Sequence, residues 1–262
     1  MRVTVLGSGT SHGVPMIGCD CEVCTSTNTR DKRSRPSIAL RLPTGTVLVD
    51  TAPELRLQAI ANKLCRVDAV IFTHTHADHT HGIDDLRIYN ARQGTPLPLY
   101  GSRASMEDIA ARFNYIFTPL SAQLGGGIPM LDLHSISGPF EVLGHTVVPV
   151  EVFHGYLPVY GYRFGPFAYV TDCSEIPPRS MELLRGLDVL ILDGLRHKPH
   201  PTHFNIAQAL CVIEDLRPRQ AYLTHLTHDV LHERVSRELP PGVALAYDGL
   251  TFELEWNGRC PI

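Results

Sequence analysis

A histidine-rich loop directly after an apolar stretch is the feature that most constrains this sequence. The apolar residues AVIF end at Phe72, and the following loop THTHADHTHG carries His74, His76, Asp78 and His79. Imidazole and carboxylate groups suit divalent metals such as Zn²⁺ and Mn²⁺, and open α/β sheets place ligand sites at the carboxyl ends of their strands. The loop therefore predicts a metal site at a strand end, rather than a polar loop that happens to be rich in histidine.

Composition and charge set broad limits on the chain. Its 262 residues favour one large domain covering residues 1–262. A hydrophobic fraction of 44% and a charged fraction of 19% are ordinary for a globular protein, and the net charge of −4 gives no sign of a polyanion-binding surface. The N-terminal MRVTVLG predicts a strand and a Gly-rich loop instead of a signal peptide. No stretch is long enough to cross a membrane, and we expect a cytoplasmic protein.

Three of the seven cysteines lie in the short segment GCDCEVC, residues 18–24. Cys19 and Cys21 are too close in sequence to bridge comfortably, and an odd total does not suit a disulfide framework. These two residues and Cys24 therefore predict a bound metal, for which a closed tetrahedral site requires a fourth ligand from further along the chain. Three other cysteines lie in apolar contexts and are expected to be buried: Cys65, Cys173 and Cys211.

Strand-like and helical stretches alternate along the chain. The expected strands are 3–6, 37–42, 46–50, 69–74, 97–101, 188–193 and 221–226, with β-rich segments at 140–154, 160–172 and 243–254. The expected helices are 53–63, 83–89, 105–113, 180–185, 205–216 and 229–239. This order fits two mixed sheets facing each other with helices outside, although the pattern alone leaves other α/β arrangements open.

Three further ionisable residues end apolar runs, as His74 does. EVFH ends in His154, AYVTD ends in Asp172 and YLTH ends in His225. Each alone would more often be a satisfied polar residue at a strand terminus. Together with the histidine-rich loop they supply enough ligands for two metal ions.

These residues, in this order and with Asp50 in VLVDTAPELR, resemble the metallo-β-lactamase superfamily. The resemblance covers nearly the whole chain and implies an αββα sandwich of two mixed sheets with outer helices. It assigns His74, His76 and His154 to one metal, Asp78, His79 and His225 to the second, and Asp172 to both. Asp50 is expected to orient a ligand or loop rather than bind metal.

The cysteine-rich start is similar to one branch of this superfamily, the phosphoribosyl cyclic phosphate phosphodiesterase of bacterial phosphonate breakdown and its relatives. The segments GSGTSHGVP, DTAPELR and YDGL also match this branch. The resemblance implies a structural zinc site that anchors the loop at residues 18–24. Its ligands would be Cys19, Cys21, Cys24 and His228, and a Cys₃His set is typical of a closed structural site.

The branch implies hydrolysis of a small phosphodiester, such as a ribose cyclic phosphate, by two divalent ions (Zn or Mn) sharing a bridging hydroxide. The leaving alkoxide needs a proton, and the segment HKPHPTHFN offers three histidines. His203 corresponds by position to the general acid proposed for the branch, with His200 as the runner-up and His197 as a further candidate. Asp78 is also expected to help orient the attacking water.

Alternative functions remain open at this point. An RNase Z-like tRNA 3′-end endonuclease has the same fold and metals, but we see no basic arm of suitable length, so nucleic acid is an unexpected partner. Related proteins of cofactor biosynthesis act as non-catalytic binding or carrier proteins. We expect a small phosphodiester as the partner and no membrane association, and a homodimer is compatible with the sequence.

Overall fold

Two facing β-sheets form the centre of the protein in a computed structural model, which describes residues 1–118 and 127–260. In chain order, the strands are β1 (Arg2–Gly7), β2 (Ser37–Leu42), β3 (Gly45–Val49), β4 (Ala69–Ile71), β5 (Leu97–Ser102), β6 (Leu131–Ile136), β7 (Phe140–Val142), β8 (His145–His154), β9 (Leu157–Phe164), β10 (Phe167–Val170), β11 (Val189–Asp193), β12 (Gln220–Thr224), β13 (Val243–Leu245) and β14 (Thr251–Glu253). The helices are α1 (Glu22–Thr25), α2 (Leu55–Ala61), α3 (Ala77–Thr80), α4 (Arg87–Gln93), α5 (Arg103–Arg112), α6 (Asn114–Phe117), α7 (Pro178–Leu183), α8 (Ile206–Leu216) and α9 (His232–Ser236), with 3₁₀ turns at Thr29–Asp31 and Ile83–Leu86.

Both sheets are mixed and have the same internal plan. The first has the order β14-β1-β2-β3-β4-β5-β6, and the second has the order β13-β12-β11-β10-β9-β8-β7. In the first sheet, β3 through β6 pair in parallel and the other neighbours pair antiparallel. In the second, β10 through β13 pair in parallel. The carboxyl ends of the parallel strands in each sheet therefore lie along one edge, where loops can bring side chains together.

Successive side chains along each strand point to opposite faces of the sheet, so the apolar residues of the strands are divided among three cores. Val47 and Val49 of β3 point into the core between the sheets, where they join Phe167 and Tyr169 of β10. Leu48 of β3 faces the other way, into a core beneath the helices of the first sheet. Residues on the outer face of the second sheet pack with α8 in a third core. Three cores imply four layers, and the expected αββα sandwich is confirmed.

Some expected elements have different bounds. The strand expected at 69–74 ends at Ile71, because the following residues leave the sheet to form the histidine-rich loop. The helix expected at 229–239 spans only His232–Ser236. It begins late because Arg33 donates to the carbonyls of Thr227 and Val230 and holds the residues before the helix in a turn. The closing segment 243–254 is divided between the two sheets as β13 and β14.

The edge strand β6 was not predicted, and two cysteines that were expected to be buried are exposed. Cys173 is buried, but Cys65 and Cys211 are exposed. Cys65 follows α2 in the connection to β4, and Cys211 lies on the outward face of α8, so the apolar neighbours of each cysteine did not determine its burial. None of the helices in the described ranges has the length and apolar character needed to cross a membrane.

Gly82 holds the histidine-rich loop close to the segment after β3. Its N–H donates to Thr51 O (2.9 Å), and Thr51 N donates to His79 O (2.7 Å). A Cβ at Gly82 would lie 2.1 Å from Ala52 O, a backbone atom that cannot move aside without shifting the loop. The close approach therefore requires glycine.

We expect Gly82→Ala to destabilise the protein, because the added methyl group would force these two segments apart. Overpacking of this kind costs about 1–3 kcal/mol, which corresponds to roughly 2–12 °C in the thermal midpoint for a chain of this size. Thermal unfolding followed by circular dichroism would measure the shift. Gly138→Ala is the matched control, since its Cβ meets no atom of the described residues within 4 Å. Equal midpoints for the two variants would contradict the argument.

Candidate metal centre

Five segments bring the expected ligands to one edge of the sandwich. His74 and His76 lie in the loop after β4, and Asp78 and His79 lie on the short helix α3. The other three residues are at strand ends: His154 at the end of β8, Asp172 after β10 and His225 after β12. All seven side chains thus reach the same region from both sheets.

Three residues at this edge have an unusual backbone conformation. Asp50, Asp172 and His225 have φ values of +63°, +52° and +61°, in the left-handed region that non-glycine residues seldom adopt. Such conformations cost about 1–3 kcal/mol each and persist where the surrounding structure enforces them, often at functional sites. Each turn aims an ionisable side chain inward at the point where its strand ends.

The seven side chains form groups that share Asp172. Ligand atoms of Asp78, His79, Asp172 and His225 all lie within 4.8 Å of one another, and those of His74, His76 and Asp172 form a second such group. Asp172 Oδ2 is 3.1 Å from His79 Nε2, while Asp172 Oδ1 is 3.3 Å from His225 Nε2. The ring of His154 lies 5.1 Å from that of His76. One carboxylate therefore lies between two sets of donors, as a bridging ligand would.

Unpaired polar atoms test whether this site fits metal ions. His74 Nε2, Asp78 Oδ2, His79 Nε2 and both ring nitrogens of His225 are buried without a hydrogen-bond partner among the described residues. Leaving a buried polar atom unpaired costs about 1–3 kcal/mol. Apart from His225 Nδ1, which lies on the other side of its ring, these atoms belong to the side chains grouped around Asp172 and would be satisfied by a shared cation. Nitrogen and oxygen donors are those that Zn²⁺ and Mn²⁺ accept, and the residues present therefore fit divalent metal.

The charge on Asp172 also fits a cation site. Burial alone raises the pKa of this carboxyl, but the imidazoles of His225 and His79 hold the pKa well below its usual range. Asp78 shows the same balance, and His79 and His225 keep its pKa low despite burial. Both carboxylates are therefore ionised at neutral pH and available to a metal.

Two ligands are oriented by hydrogen bonds on their far sides. His79 Nδ1 donates to Asp50 Oδ2 (2.7 Å), and Asp50 also accepts from the backbone N–H and the hydroxyl of Thr73 (2.8 Å each). His154 Nδ1 donates to the carbonyl of Thr202 (2.8 Å). With Nδ1 protonated and fixed, Nε2 of each ring is left free to face the cluster. Nothing in the sequence indicated the contact to Thr202.

The cysteine-rich loop meets His228 at a separate site. The Sγ atoms of Cys19, Cys21 and Cys24 lie 3.2, 3.5 and 3.7 Å from His228 Nδ1. Tetrahedral zinc with ordinary bond lengths would place sulfur and nitrogen ligands roughly 3.5 Å apart. The backbone N–H of Cys24 donates to Cys21 Sγ and lowers the pKa of that thiol to about 7, which favours the thiolate that a metal requires. The four side chains have the spacing of a closed Cys₃His site.

Sequence reasoning missed Asp193, the last residue of β11. Its Oδ2 accepts from His203 Nδ1 (2.7 Å) and from the backbone N–H of Cys173 (2.8 Å). His203 is buried, and its ligand atom lies within 4.8 Å of those of His154 and Asp172. Asp193 ends the apolar run DVLILD as Asp172 ends AYVTD, and this signal in the sequence could have identified it.

The other two histidines of the segment HKPHPTHFN have surroundings that differ from those of His203. The ring of His200 is half-buried with its centroid 5.1 Å from that of His203, and its Nδ1 faces the hydroxyl of Thr202 at 3.2 Å. His197 is exposed, and its Nε2 is 3.9 Å from a carboxylate oxygen of Glu238. Among His197, His200 and His203, His203 is therefore the one that reaches the candidate metal ligands.

Residues 45–226 match the family model of the β-lactamase superfamily domain, and the chain belongs to this superfamily. A crystal structure of a diphosphatase from the PhnP family is 43% identical, with a TM-score of 0.90, and the match covers 97% of this chain and 98% of that one. This PhnP-like branch is the one that the cysteine-rich start resembles, that of the phosphoribosyl cyclic phosphate phosphodiesterase and its relatives, and the assignment to this branch is thereby confirmed. The fold of this family implies divalent metal ions.

Two other similar proteins have different names. An octanoyltransferase of Porphyromonas gingivalis is 37% identical over 98% of this chain, which spans about half (52%) of that protein's length. The coenzyme PQQ synthesis protein B of Methylobacterium radiotolerans is 26% identical over 74% of this chain and 73% of that protein. The same domain thus occurs in proteins with several assigned roles.

His225 and His228 lie three residues apart, and their substitution should have different effects. We expect His225→Ala to lose turnover and weaken one metal at the cluster while the protein stays folded. His228→Ala should instead release the cysteine-bound metal and lower the thermal midpoint, because metal binding at a closed site is coupled to folding. Metal analysis and thermal unfolding of both variants would check this, with Cys21→Ser as a match for His228→Ala. Exchanged phenotypes would show that the two histidines have been assigned to the wrong sites.

Proposed function

We propose that this protein, as a single domain, is a metal-dependent phosphodiesterase that hydrolyses a small cyclic phosphodiester such as a ribose cyclic phosphate. The observation that carries the proposal is the position of His203, a buried imidazole fixed by Asp193 at the margin of the metal ligands. A proton donor beside a hydrolytic metal site is what a poor alkoxide leaving group requires. The likeness to a diphosphatase supports phosphorus as the centre attacked.

The ligand set favours two metal ions in the active site. His74, His76 and His154 would hold one ion, Asp78, His79 and His225 the other, and Asp172 would contact both. Bound divalent ions supply Lewis acidity and lower the pKa of water toward neutrality. Cys19, Cys21, Cys24 and His228 would hold a structural zinc, since thiolate ligands favour zinc, whereas the donors of the active site accept either zinc or manganese.

The residues of the chain provide the proton movements. Asp193 accepts from His203 Nδ1, so the proton that the imidazolium form of His203 could transfer is the one on Nε2, the other ring nitrogen. His203 would donate this proton to the leaving oxygen of the substrate. Asp78 Oδ2, which has no hydrogen-bond partner within the described part of the chain, would accept a hydrogen bond from the attacking water.

A non-catalytic role is the second candidate. The likeness to the coenzyme PQQ synthesis protein B extends over 74% of the chain, and the sequence resemblance to proteins of cofactor biosynthesis implies a carrier that binds a small molecule without transforming it. The buried dyad of His203 and Asp193 favours catalysis, because a carrier has no need of a positioned proton donor. Assays of the metal-replete protein on a panel of phosphodiesters, with a tRNA precursor included, would discriminate between the candidates.

The metal content is the first test of the proposed sites. We expect about three divalent ions per chain, two at the histidine and aspartate cluster and one at the cysteines. Elemental analysis after mild chelation should show that one zinc is retained while the other ions are lost, because the closed site has no open position for a competing ligand. If no zinc survives chelation, the assignment of a structural site is wrong.

The role of His203 can be tested with two leaving groups. His203→Ala should lower kcat for a ribose cyclic phosphate by roughly 10²- to 10⁴-fold, the usual effect of a positioned general acid. A nitrophenyl phosphodiester should be hydrolysed almost as fast by the variant as by the parent, because the nitrophenolate group leaves without needing a proton. The metal content should not change.

His200→Ala is the matched control, since this residue lies in the same loop but is held by Thr202 rather than Asp193. It should retain most of its activity on both substrates. Equal losses on the two substrates for His203→Ala would mean that His203 binds phosphate or supports the metals. A selective loss in His200→Ala would transfer the role to that residue.

A further inference from the structure

The β8–β9 hairpin ends in an exposed tyrosine beside the metal ligands. His154 pairs with Leu157 across the two strands, so the connection consists only of Gly155 and Tyr156. Tyr156 is fully exposed to solvent, and Leu157 next to it is 45% exposed. A large aromatic side chain thus stands in water two residues beyond a proposed metal ligand.

The turn is held firmly against the loop that carries the proton donor. Gly155 has a φ of +63°, and a Cβ there would lie 2.9 Å from the methyl carbon of Thr202. Its N–H donates to Ser174 Oγ (3.0 Å), and Thr202 O accepts from His154 Nδ1. The backbone of Tyr156 is therefore fixed beside the segment that contains His203.

The turn does not explain why a tyrosine is present. Two-residue hairpins with glycine first require the left-handed region only at the glycine, and small polar residues are usual at turn positions. An exposed aromatic ring gains nothing from packing here, whereas it offers a rigid flat surface with only two side-chain torsions to restrict. The side chain is thus suited to contact a ligand.

We propose that Tyr156 is a stacking surface for a flat aromatic group carried by the substrate, such as the base of a nucleoside cyclic phosphate. This rests on the proposed phosphodiesterase function and selects a class of substrate for the same site. The Cα of Tyr156 is at most about 7 Å from that of His154, two residues away. A ring at this distance from the cluster can contact the base while the phosphate lies at the metal ligands.

Charge on the neighbouring loop favours the same class of substrate. Arg196 and Lys198 lie in the same loop as Thr202, which contacts Gly155 and His154 of the hairpin, and the charge of Arg196 contributes, after burial and His203, to lowering the pKa of His200. Cations in this loop attract a phosphate ester, while the tyrosine ring adds a contact that only an aromatic substituent can use. Together they favour a nucleotide over a bare sugar phosphate.

A pair of substrates that differ only in the base provides the test. Metal-replete protein would be assayed on adenosine 2′,3′-cyclic phosphate and on methyl ribofuranoside 2,3-cyclic phosphate. Tyr156→Ala should lower kcat/KM for the adenosine substrate by roughly 5- to 150-fold, the range expected for loss of one base-stacking contact, through KM rather than kcat. The methyl riboside should be unaffected.

Two further variants serve as controls. Tyr156→Phe should behave as the parent, because stacking needs the ring and not the hydroxyl. Leu57→Ala removes another exposed apolar side chain, on α2, and should leave both substrates unaffected. Binding of the products, adenosine 3′-monophosphate and methyl ribofuranoside 3-phosphate, would be measured in parallel by titration calorimetry, so that the test does not depend on turnover.

The outcomes separate this inference from the proposed function. Hydrolysis without a base preference that depends on Tyr156 would overturn the inference and leave the phosphodiesterase standing. Tighter binding of the adenosine product that is lost in Tyr156→Ala, without hydrolysis of either substrate, would support the stacking surface and overturn the phosphodiesterase. Neither hydrolysis nor binding would overturn both.

Discussion

Charge compensation for Asp172 is the interaction on which the rest of this structure depends. The carboxylate is almost completely buried and ionised, which would be prohibitively unfavourable in an apolar interior without partners. Its partners come from β12 and from α3, that is, from both sheets of the sandwich. The two halves of the chain are therefore joined at their functional edge by electrostatics, while the apolar core joins them elsewhere.

One structural device is used twice around this carboxylate. Asp50 follows a strand of the first sheet and fixes Nδ1 of His79, and Asp193 ends a strand of the second sheet and fixes Nδ1 of His203. In each case a buried aspartate accepts the hydrogen bond of Nδ1 and thereby determines which way Nε2 points. The first directs Nε2 toward metal and the second directs it toward the proposed leaving group. The different roles of the two histidines follow from what their free nitrogens face.

The residues alone predicted a metal site where strand ends converge, whereas the αββα sandwich and the assignment of each ligand came from the resemblance to the metallo-β-lactamase superfamily. Asp193 ends an apolar run in the same way and could have been nominated too, but its pairing with His203 could not, since nothing in the residues says which strand-end carboxylate meets an imidazole. The length of α9 depends on Arg33, almost two hundred residues earlier. The exposure of Cys211 depends on which face of α8 meets the sheet. Tertiary contacts decided all three.

The separation of the cysteines from His228 has a consequence for biosynthesis. Cys24 precedes its histidine partner by 204 residues, so the three thiols leave the ribosome long before the last member of their site exists. At a synthesis rate of about 5–20 residues per second, the interval is roughly 10–40 s. During that time the thiols are open to oxidation and to competing metals. The quality of the finished protein therefore depends on how well its host keeps nascent chains reduced and buffers its free metal ions.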